Sequence, residues 1–222
     1  MIDYTSDEYH RNRHPEFLED EELRKAWSCF ADMAYFTNVK SGQVVLEFGG
    51  GLGMNLLTVA DRAVTHMVEP SQLGREMARL AGIAAVETVE ELGDQKFDCI
   101  LCRHVLEHVE HPAAVLRDFR SRLKPRGGLI VVVPCEAWDA VPEPNDLNHH
   151  LYCWNPQTLV NLIGTCGFQI TAWRYEYYGA KRKLMPVYRS MGGECYARLV
   201  RFVGRVFRFK ELVVEASLAA TR

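Results

Sequence analysis

Two stretches of the chain carry residue types that can do chemistry. In the first, Val44-Val-Leu-Glu47-Phe-Gly49-Gly-Gly51-Leu-Gly53, glycines alternate behind a short apolar run, with a carboxylate two residues before the first of them. Glycines on a strand-to-helix turn let backbone approach a bound cofactor that side chains would exclude. Glu69 closes the next apolar run, 22 residues after Glu47, where it could accept hydrogen bonds from both hydroxyls of a ribose. A tight turn without ligand explains the glycines alone. A dinucleotide GxGxxG pattern does not fit, because it would need glycine where Met54 and Leu56 stand. The pattern is acid-x-Gly-x-Gly-x-Gly followed by an acid at the next strand's end, which favours a nucleoside cofactor.

The second stretch is His104-Val-Leu-Glu107-His108-Val-Glu-His111. An HxxEH zinc-protease reading needs a helix and a distal ligand, and both the strand before it and the glycine loop argue against that. The preferred reading leaves Glu107 and His108 tying a turn to neighbouring backbone. Cys99 and Cys102 resemble half a zinc or redox motif, but three residues apart on a strand they face opposite sides.

The elements that must position these residues follow from periodicity. Leu23, Trp27, Phe30 and Ala34 recur at helical spacing from Glu21 to about Phe36. Beyond the break at Ser41-Gly42, strand and helix signals alternate. Strands are expected at Val44–Leu46, Val64–Val68, Phe97–Leu101 and Leu129–Val133, with helices at Gln72–Ala81 and Pro112–Leu123 and a turn over 125–128. Asn155 as N-cap, Pro156 at the first helical position and Gly167 beyond the end frame a further helix. Phe168–Tyr175 and Glu211–Ala219 read as closing strands around an insert of roughly 35 residues. Apolar strands alternating with helices imply a parallel sheet covered on both faces.

Composition is that of an ordinary globular protein, with 25% charged and 48% hydrophobic residues in 222. No apolar run approaches the roughly 18 residues that span a bilayer, and the N-terminus has no signal-peptide pattern. Seven cysteines, an odd number scattered through core segments, read as reduced thiols in a cytoplasm. Charge is uneven, −10 over residues 1–172 and +7 over 173–222. The acidic bulk argues against a nucleic-acid partner.

Glu47-Phe-Gly49-Gly-Gly51-Leu-Gly53 resembles motif I of the class I S-adenosylmethionine-dependent methyltransferases. Phe97–Arg103 with His104-Val-Leu-Glu107-His108-Val resembles their fourth strand and the turn after it, and Leu123-Lys-Pro-Arg-Gly127-Gly128 the turn before strand five. Asn148-His-His-Leu-Tyr-Cys-Trp154-Asn-Pro and the helix ending Cys166-Gly167-Phe168 are similar to the ubiquinone/menaquinone-biosynthesis-like, small-molecule branch. Four motifs in order, over roughly residues 40–170, are far more specific than any one.

The resemblance implies an α/β, Rossmann-like fold: a seven-stranded, mostly parallel sheet with helices on both faces and one antiparallel strand. It implies a lid segment and helix over 1–40, a cofactor-binding core over 41–175, and a basic insert with closing strand over 176–222. The cofactor would be S-adenosylmethionine. Glu47, Gly49, Gly51 and Gly53 would line its methionine part, Glu69 its ribose, and Thr88 and Val89 its adenine. Arg103 would lie beside the methionine end, and Tyr9, in a segment with Tyr4, His10 and His14, would touch the cofactor from the lid. Some related O-methyltransferases hold a divalent metal with a Glu-x-x-Glu-His set and a later His. Here His104, Glu107, His108 and His149 or His150 would be the counterparts, a set better suited to a borderline metal than to Mg²⁺.

Methyl transfer from a sulfonium is an in-line displacement, so positioning the acceptor dominates. A hydroxyl acceptor gains from a base of near-neutral pKa, for which His104, His149 and His150 are the candidates. The Asn/Asp-Pro-Pro-aromatic mark of exocyclic-amine methylation is absent after strand four, which favours O-methylation of a sugar, natural-product or quinone-like hydroxyl. The alternatives are a methyltransferase-fold partner subunit without catalysis, and an RNA or protein methyltransferase. In the tail, Arg198, Arg201, Arg205 and Arg208 share one helical face opposite Leu199, Val203, Val206 and Phe207. With Lys181-Arg182-Lys183 they form either a solvated face or a contact for an anionic membrane or carrier.

Overall fold

In the computed structural model, residues 6–13, 15–137, 139, 141 and 149–218 are described. Tyr4, His14, Asn148 and Ala219 lie outside them.

The apolar runs form one seven-stranded sheet: β1 Val44–Phe48, β2 Val64–Val68, β3 Ala84–Val86, β4 Phe97–Arg103, β5 Leu123–Pro134, β6 Phe168–Tyr177 and β7 Lys210–Leu218. Their order is β3-β2-β1-β4-β5-β7-β6. All neighbours from β3 to β5 are parallel, and β7 runs antiparallel to both β5 and β6. The chain reverses its direction of travel across the sheet between β1 and β4, and the crevice at the C-terminal ends of those strands is where such sheets bind ligands.

The helices are α1 Asp7–Arg13, α2 Pro15–Glu19, α3 Glu21–Tyr35, α4 Leu57–Ala60, α5 Gln72–Leu80, α6 Pro112–Arg122, α7 Pro156–Thr165 and α8 Met185–Phe207. Alternation along β4 divides the core into two layers. Cys99 and Leu101 pack in a layer with Trp27 and Phe30 of α3, Val59 of α4, Ala78 of α5 and Tyr196 and Val200 of α8. Ile100 and Cys102 face Leu116 and Phe119 of α6 and Leu159 and Ile163 of α7. Cys99 and Cys102 therefore do lie on opposite faces, and all seven cysteines are free.

Local signals explain the ends of several elements. Asn155 accepts the Thr158 amide at 3.0 Å and Thr158 Oγ1 accepts the Asn155 amide at 3.2 Å, a reciprocal cap ahead of Pro156. Asp20 caps α3 through the Leu23 amide at 2.9 Å. Residues 125–128, expected as a turn, instead belong to β5: between the pairs Phe97–Leu123 and Cys99–Gly128 this strand bulges away from β4, with Arg126 in the bulge at φ 70°. The tail helix begins at Met185, well before the arginine pattern at Ala197, and kinks at Gly192 with φ 82°.

Candidate active site

The glycine loop leaves β1 with Gly49, Gly51 and Gly53 at φ 72°, 56° and 73°, values that L side chains rarely adopt. Side chains are also excluded by their neighbours. A Cβ at Gly49 would collide with Val105, and one on Gly74 at the start of α5 would lie 2.5 Å from the Gly51 carbonyl. These two close approaches leave room for backbone alone along the loop.

Glu69 follows β2 and is buried. Its Oε2 accepts the Gly51 amide at 2.8 Å and its Oε1 the Ser71 amide at 2.9 Å, so the carboxylate fixes the loop against the next strand's end. Arg75 donates to the Glu69 and Pro70 carbonyls at 2.9 and 2.6 Å and to Glu87 at 2.8 Å, locking β2's exit to β3's. Thr88 and Val89 follow β3 at this same edge. Glu91 accepts the Thr88 amide at 3.0 Å, Thr88 is exposed, and Val89 packs on the second core layer.

Glu47 points into the α3 layer. Trp27 Nε1 donates to Asn55 Oδ1 at 2.8 Å, and Asn55 Nδ2 donates to Glu47 Oε1 at 2.5 Å. Glu47 Oε2 is buried with no hydrogen-bond partner among the described residues. Burial pushes this carboxyl up to about 7, against the pull of Asn55 and Arg103. An unpartnered buried acceptor beneath a glycine loop is the complement of a cationic ligand group.

Helix α1 lies across the loop. Asp7 Oδ1 accepts from Ser71 Oγ at 2.7 Å and from the Leu73 amide at 2.9 Å, an anion at the N-terminus of α5. That anchor sets His10, one turn on, with Nε2 3.4 Å from Glu69 Oε1 and its ring against Gly51. Tyr9 packs edge-on to His10 at 5.4 Å. Burial raises its phenol, with Arg13, Glu107 and Glu69 in electrostatic reach. Sequence reasoning named Tyr9 but gave His10 no role. Without helical periodicity in residues 1–15, only the tertiary anchor at Asp7 identifies which side chain reaches the loop.

At the end of β4, Arg103 donates from its NH2 nitrogen to Glu211 Oε2 at 2.8 Å and from Nε to Tyr35 Oη at 3.2 Å, and lies 5.4 Å from the Trp27 ring centre. His104, at φ 55°, places Nε2 3.0 Å from Glu211 Oε2, and Tyr35 hydrogen-bonds Glu211 Oε1. Burial opposes ionisation of Glu211, yet Arg103, His104 and Tyr35 hold it down at about 2. Burial and then Arg103 lower the His104 imidazole, against Glu211. A carboxylate only accepts, so neutral His104 carries its proton on Nε2 and keeps a lone pair on Nδ1. Glu211 was anticipated only as a strand residue. Its role depends on pairings across 108 and 176 positions of sequence.

The histidines do not gather as the metal reading required. His104 belongs to Glu211, and His149 is exposed at φ 43°. The group whose ligand atoms approach within 4.8 Å is Glu107, His108 and His150. Of the two later candidates, His150 joins this group, at 4.8 Å between ring centres from His108, whereas His104 and His149 are not in it. His150 Nδ1 lies 2.6 Å from Glu136 Oε1. The Glu107 carbonyl accepts the Leu151 and Tyr152 amides at 2.7 and 3.3 Å, which ties this turn to the 149–152 segment. Its carboxylate has no hydrogen-bond partner among the described residues, and burial raises it to about 8. Burial and neighbouring His150 and His104 lower His108 to about 4.

The tail divides likewise. Arg201 makes a two-nitrogen contact to buried Glu176 at 2.6 and 2.8 Å, and Arg198 pairs with Glu194 at 2.5 Å. Lys181 does not join a surface patch with exposed Arg182 and Lys183; it turns inward onto Phe17 and Trp27. No helix among the described residues is long and apolar enough to cross a membrane.

The sequence profile of the methyltransferase-domain family matches residues 20–172, which contain the glycine loop, Glu69 and the turn after β4. The chain belongs to this family of methyltransferase domains. It is 32% identical over 103 residues to a ubiquinone biosynthesis O-methyltransferase of Xanthomonas campestris, covering 40% of this chain and 42% of that one. The chain spans between 23% and 56% of the length of such curated relatives. Among solved structures, the fold matches phosphoethanolamine N-methyltransferase 2 of Haemonchus contortus, solved with S-adenosyl-L-methionine. That match has TM-score 0.62 and 14% identity, over 100% of this chain and 61% of that one. It also matches the [4+2]-cyclase SpnF, with TM-score 0.60 and 18% identity over 87% and 81%.

Proposed function

We propose that the protein is an S-adenosylmethionine-dependent methyltransferase acting on a small-molecule acceptor, by O-methylation of a sugar, natural-product or quinone-like hydroxyl. The observation that carries this reading is the convergence of Glu69, the glycine loop and the unpartnered Glu47 oxygen at the β1–β4 crevice. The family match and the relatives named above support it. When bound, the cofactor supplies an electrophilic methyl group on a sulfonium.

The chain's own residues divide the remaining work. Glu69 would receive ribose hydroxyls, with His10 yielding the Oε1 it now approaches. Thr88 and Val89 would flank the adenine at the β3 edge. Glu47 Oε2 would accept from the methionine ammonium, and Arg103, already held by Glu211, would face the methionine carboxylate. Tyr9 and α1 would shield the site from water, leaving an acceptor hydroxyl held against the methyl group.

His104 is the proposed base for that hydroxyl. Its orientation by Glu211 and its lowered proton affinity keep Nδ1 free to accept. His149 and His150 lie by His108, and His150 is in electrostatic reach of His104 without a hydrogen bond to it among the described residues. In-line displacement needs no metal, so the Glu107, His108 and His150 group is read as structural. The free thiols suit a cytoplasmic setting, and the proposed organisation is a lid segment and helix over 1–40, a cofactor-binding core over 41–175 and a basic insert with closing strand over 176–222.

A second contact has its own observation. Phe202, Val206, Phe207 and Phe209 are 59–66% exposed at the end of α8, beside Arg205 and Arg208. Apolar side chains bordered by arginines suit an anionic lipid surface. Flotation with phosphatidylserine vesicles should show salt-sensitive binding that Phe202→Ser and Phe207→Ser together remove.

The enzymatic reading is tested by incubating the protein with methyl-labelled S-adenosylmethionine and a panel of phenols, catechols and sugars. Label should pass to an acceptor oxygen. Tight cofactor binding with no transfer, to these or to RNA and protein acceptors, would favour a non-catalytic partner subunit instead.

A further inference from the structure

Lys181 is half-buried, and its side chain turns toward the core in a way that its sequence neighbourhood does not suggest. Ala180 precedes it at φ 53°, and the Lys181 carbonyl accepts the hydroxyl of fully buried Tyr196 at 3.1 Å. This backbone anchor sends the side chain inward, while Arg182 and Lys183 remain exposed. Nζ lies 4.7 Å from the centre of the Phe17 ring and 5.0 Å from that of Trp27, both wholly enclosed in the α3 layer.

No hydrogen bond or ion pair reaches this ammonium among the described residues; its contacts are the two ring faces. Arg103 lies over the same Trp27 ring at 5.4 Å. Arg103 and Arg13 both repel the ammonium, and with burial they bring it down to about 8, with Glu16 and Glu211 opposing. Glu211 is committed to Arg103, His104 and Tyr35. Three cations therefore converge on a region where the buried carboxylate is already engaged. Aromatic faces attract a cation but provide no oxygen to accept its hydrogens.

The location matters as much as the charge. Arg103 is in electrostatic reach of Glu47, at the methionine end of the cofactor site, and also of Lys181. Tyr9 in turn feels Glu69, Glu107 and Arg13. Lys181 and Arg103 lie over one ring, that of Trp27, at 5.0 and 5.4 Å from its centre, so the ammonium is a ring's width from the group at the methionine end. A molecule whose hydroxyl waits near the methyl group would extend its far side toward that ammonium.

We propose that Lys181 is the specificity anchor of the acceptor site and binds a carboxylate or phosphate carried by the acceptor, with Arg13 and Arg103 adding to the attraction. This rests on the methyltransferase reading above and narrows the acceptor to an anion. Charge complementarity selects the ligand: an oxyanion gives Lys181 the acceptor atoms it lacks and relieves repulsion among three cations.

The test uses the full chain saturated with S-adenosylhomocysteine, titrated with phenyl phosphate, benzoate and neutral benzyl alcohol. At least one anion is expected to bind ten times more tightly than the alcohol or better. Preference for phenyl phosphate assigns a phosphate acceptor, and preference for benzoate a carboxylate. Lys181→Met should reduce the anion preference below threefold while S-adenosylhomocysteine affinity and melting temperature stay as in the parent. Lys181→Arg should retain it, and Lys181→Gln serves if the methionine variant does not fold. Equal binding of anion and alcohol by the parent, or a preference that survives in Lys181→Met or Lys181→Gln, overturns the proposal. Failure of the parent to bind S-adenosylhomocysteine strikes instead at the methyltransferase reading, and the anion titration is then read on the free protein by the same criteria.

Discussion

The two halves of the crevice are built on different plans. On the cofactor half, Glu47, the glycines, Glu69 and Ser71 fall within 25 positions, and the main contacts join neighbouring strand ends through backbone amides. On the proposed acceptor half, Tyr35, His104, Lys181 and Glu211 come from separate parts of the chain and gather through side chains around Arg103, which would also face the cofactor. In the proposed division the first half would recognise what is constant, using backbone that substitution hardly alters. The second would recognise what varies, using side chains that can be exchanged without rebuilding the sheet. Fold matches to both a methyltransferase and a cyclase fit that division, because fold alone does not choose the reaction.

The contrast breaks most visibly at Glu211. Glu211→Gln leaves Arg103 buried without its charge partner, and loss of one member of a buried pair typically costs about 3–5 kcal/mol. Urea unfolding should show a loss of this size, and S-adenosylmethionine affinity in the remaining folded protein should also fall, because Glu211 holds Arg103. A loss under about 1 kcal/mol, within the range of an exposed pair, would mean that the acceptor half is not held by this network.

Asn55→Ala probes the cofactor half through its one side-chain relay. It leaves Trp27 Nε1 and Glu47 Oε1 without partners, which should cost on the order of 1–3 kcal/mol in stability. A still smaller effect distinguishes the two halves by pH. Glu47 and Glu107, raised from 4.5 to about 7 and about 8, hold protons in the fold that the unfolded chain has released. Their contribution is complete below pH 4.5 and fades as pH rises through 7 to 8. Glu211, held at about 2, behaves oppositely: its contribution is present above 4.5 and is lost as pH falls toward 2. Free protein should therefore lose stability as pH rises from about 4.5 to about 8. Saturation with S-adenosylmethionine should reduce that loss, since a cation beside Glu47 lowers its pKa. A slope in that range unchanged by cofactor would remove Glu47 from the binding site. Smallest of all, EDTA should leave methyl transfer unchanged, and a loss restored by a divalent ion would revive the Glu107, His108 and His150 group as a metal centre.

How much of this the sequence disclosed follows the same division. Strand–helix alternation, the Asn155 cap, the glycine loop and Glu69 were legible because each signal lies within a few residues or one strand–helix–strand step. The short β3, with three residues, offers too little pattern to identify from alternation alone. Helix α1 is held by Asp7 on the start of α5, an attachment that no periodicity in residues 1–15 announces. That His150 rather than His149 stands beside His108 goes with the left-handed backbone at His149, and the inward turn of Lys181 follows another left-handed residue at Ala180. Such choices of side belong to tertiary context and change which neighbour reaches a site while leaving the surrounding motif intact.

Calorimetric titration of S-adenosylmethionine into the full chain and into Glu69→Ala tests the central claim most directly. The parent should bind one equivalent. Removing a carboxylate that would take both ribose hydroxyls, at about 1.5–3 kcal/mol for each hydrogen bond to a charged group, should weaken binding by at least about 100-fold. No saturable binding to the parent, or equal affinity in the two proteins, would contradict the assignment of this crevice as a cofactor site.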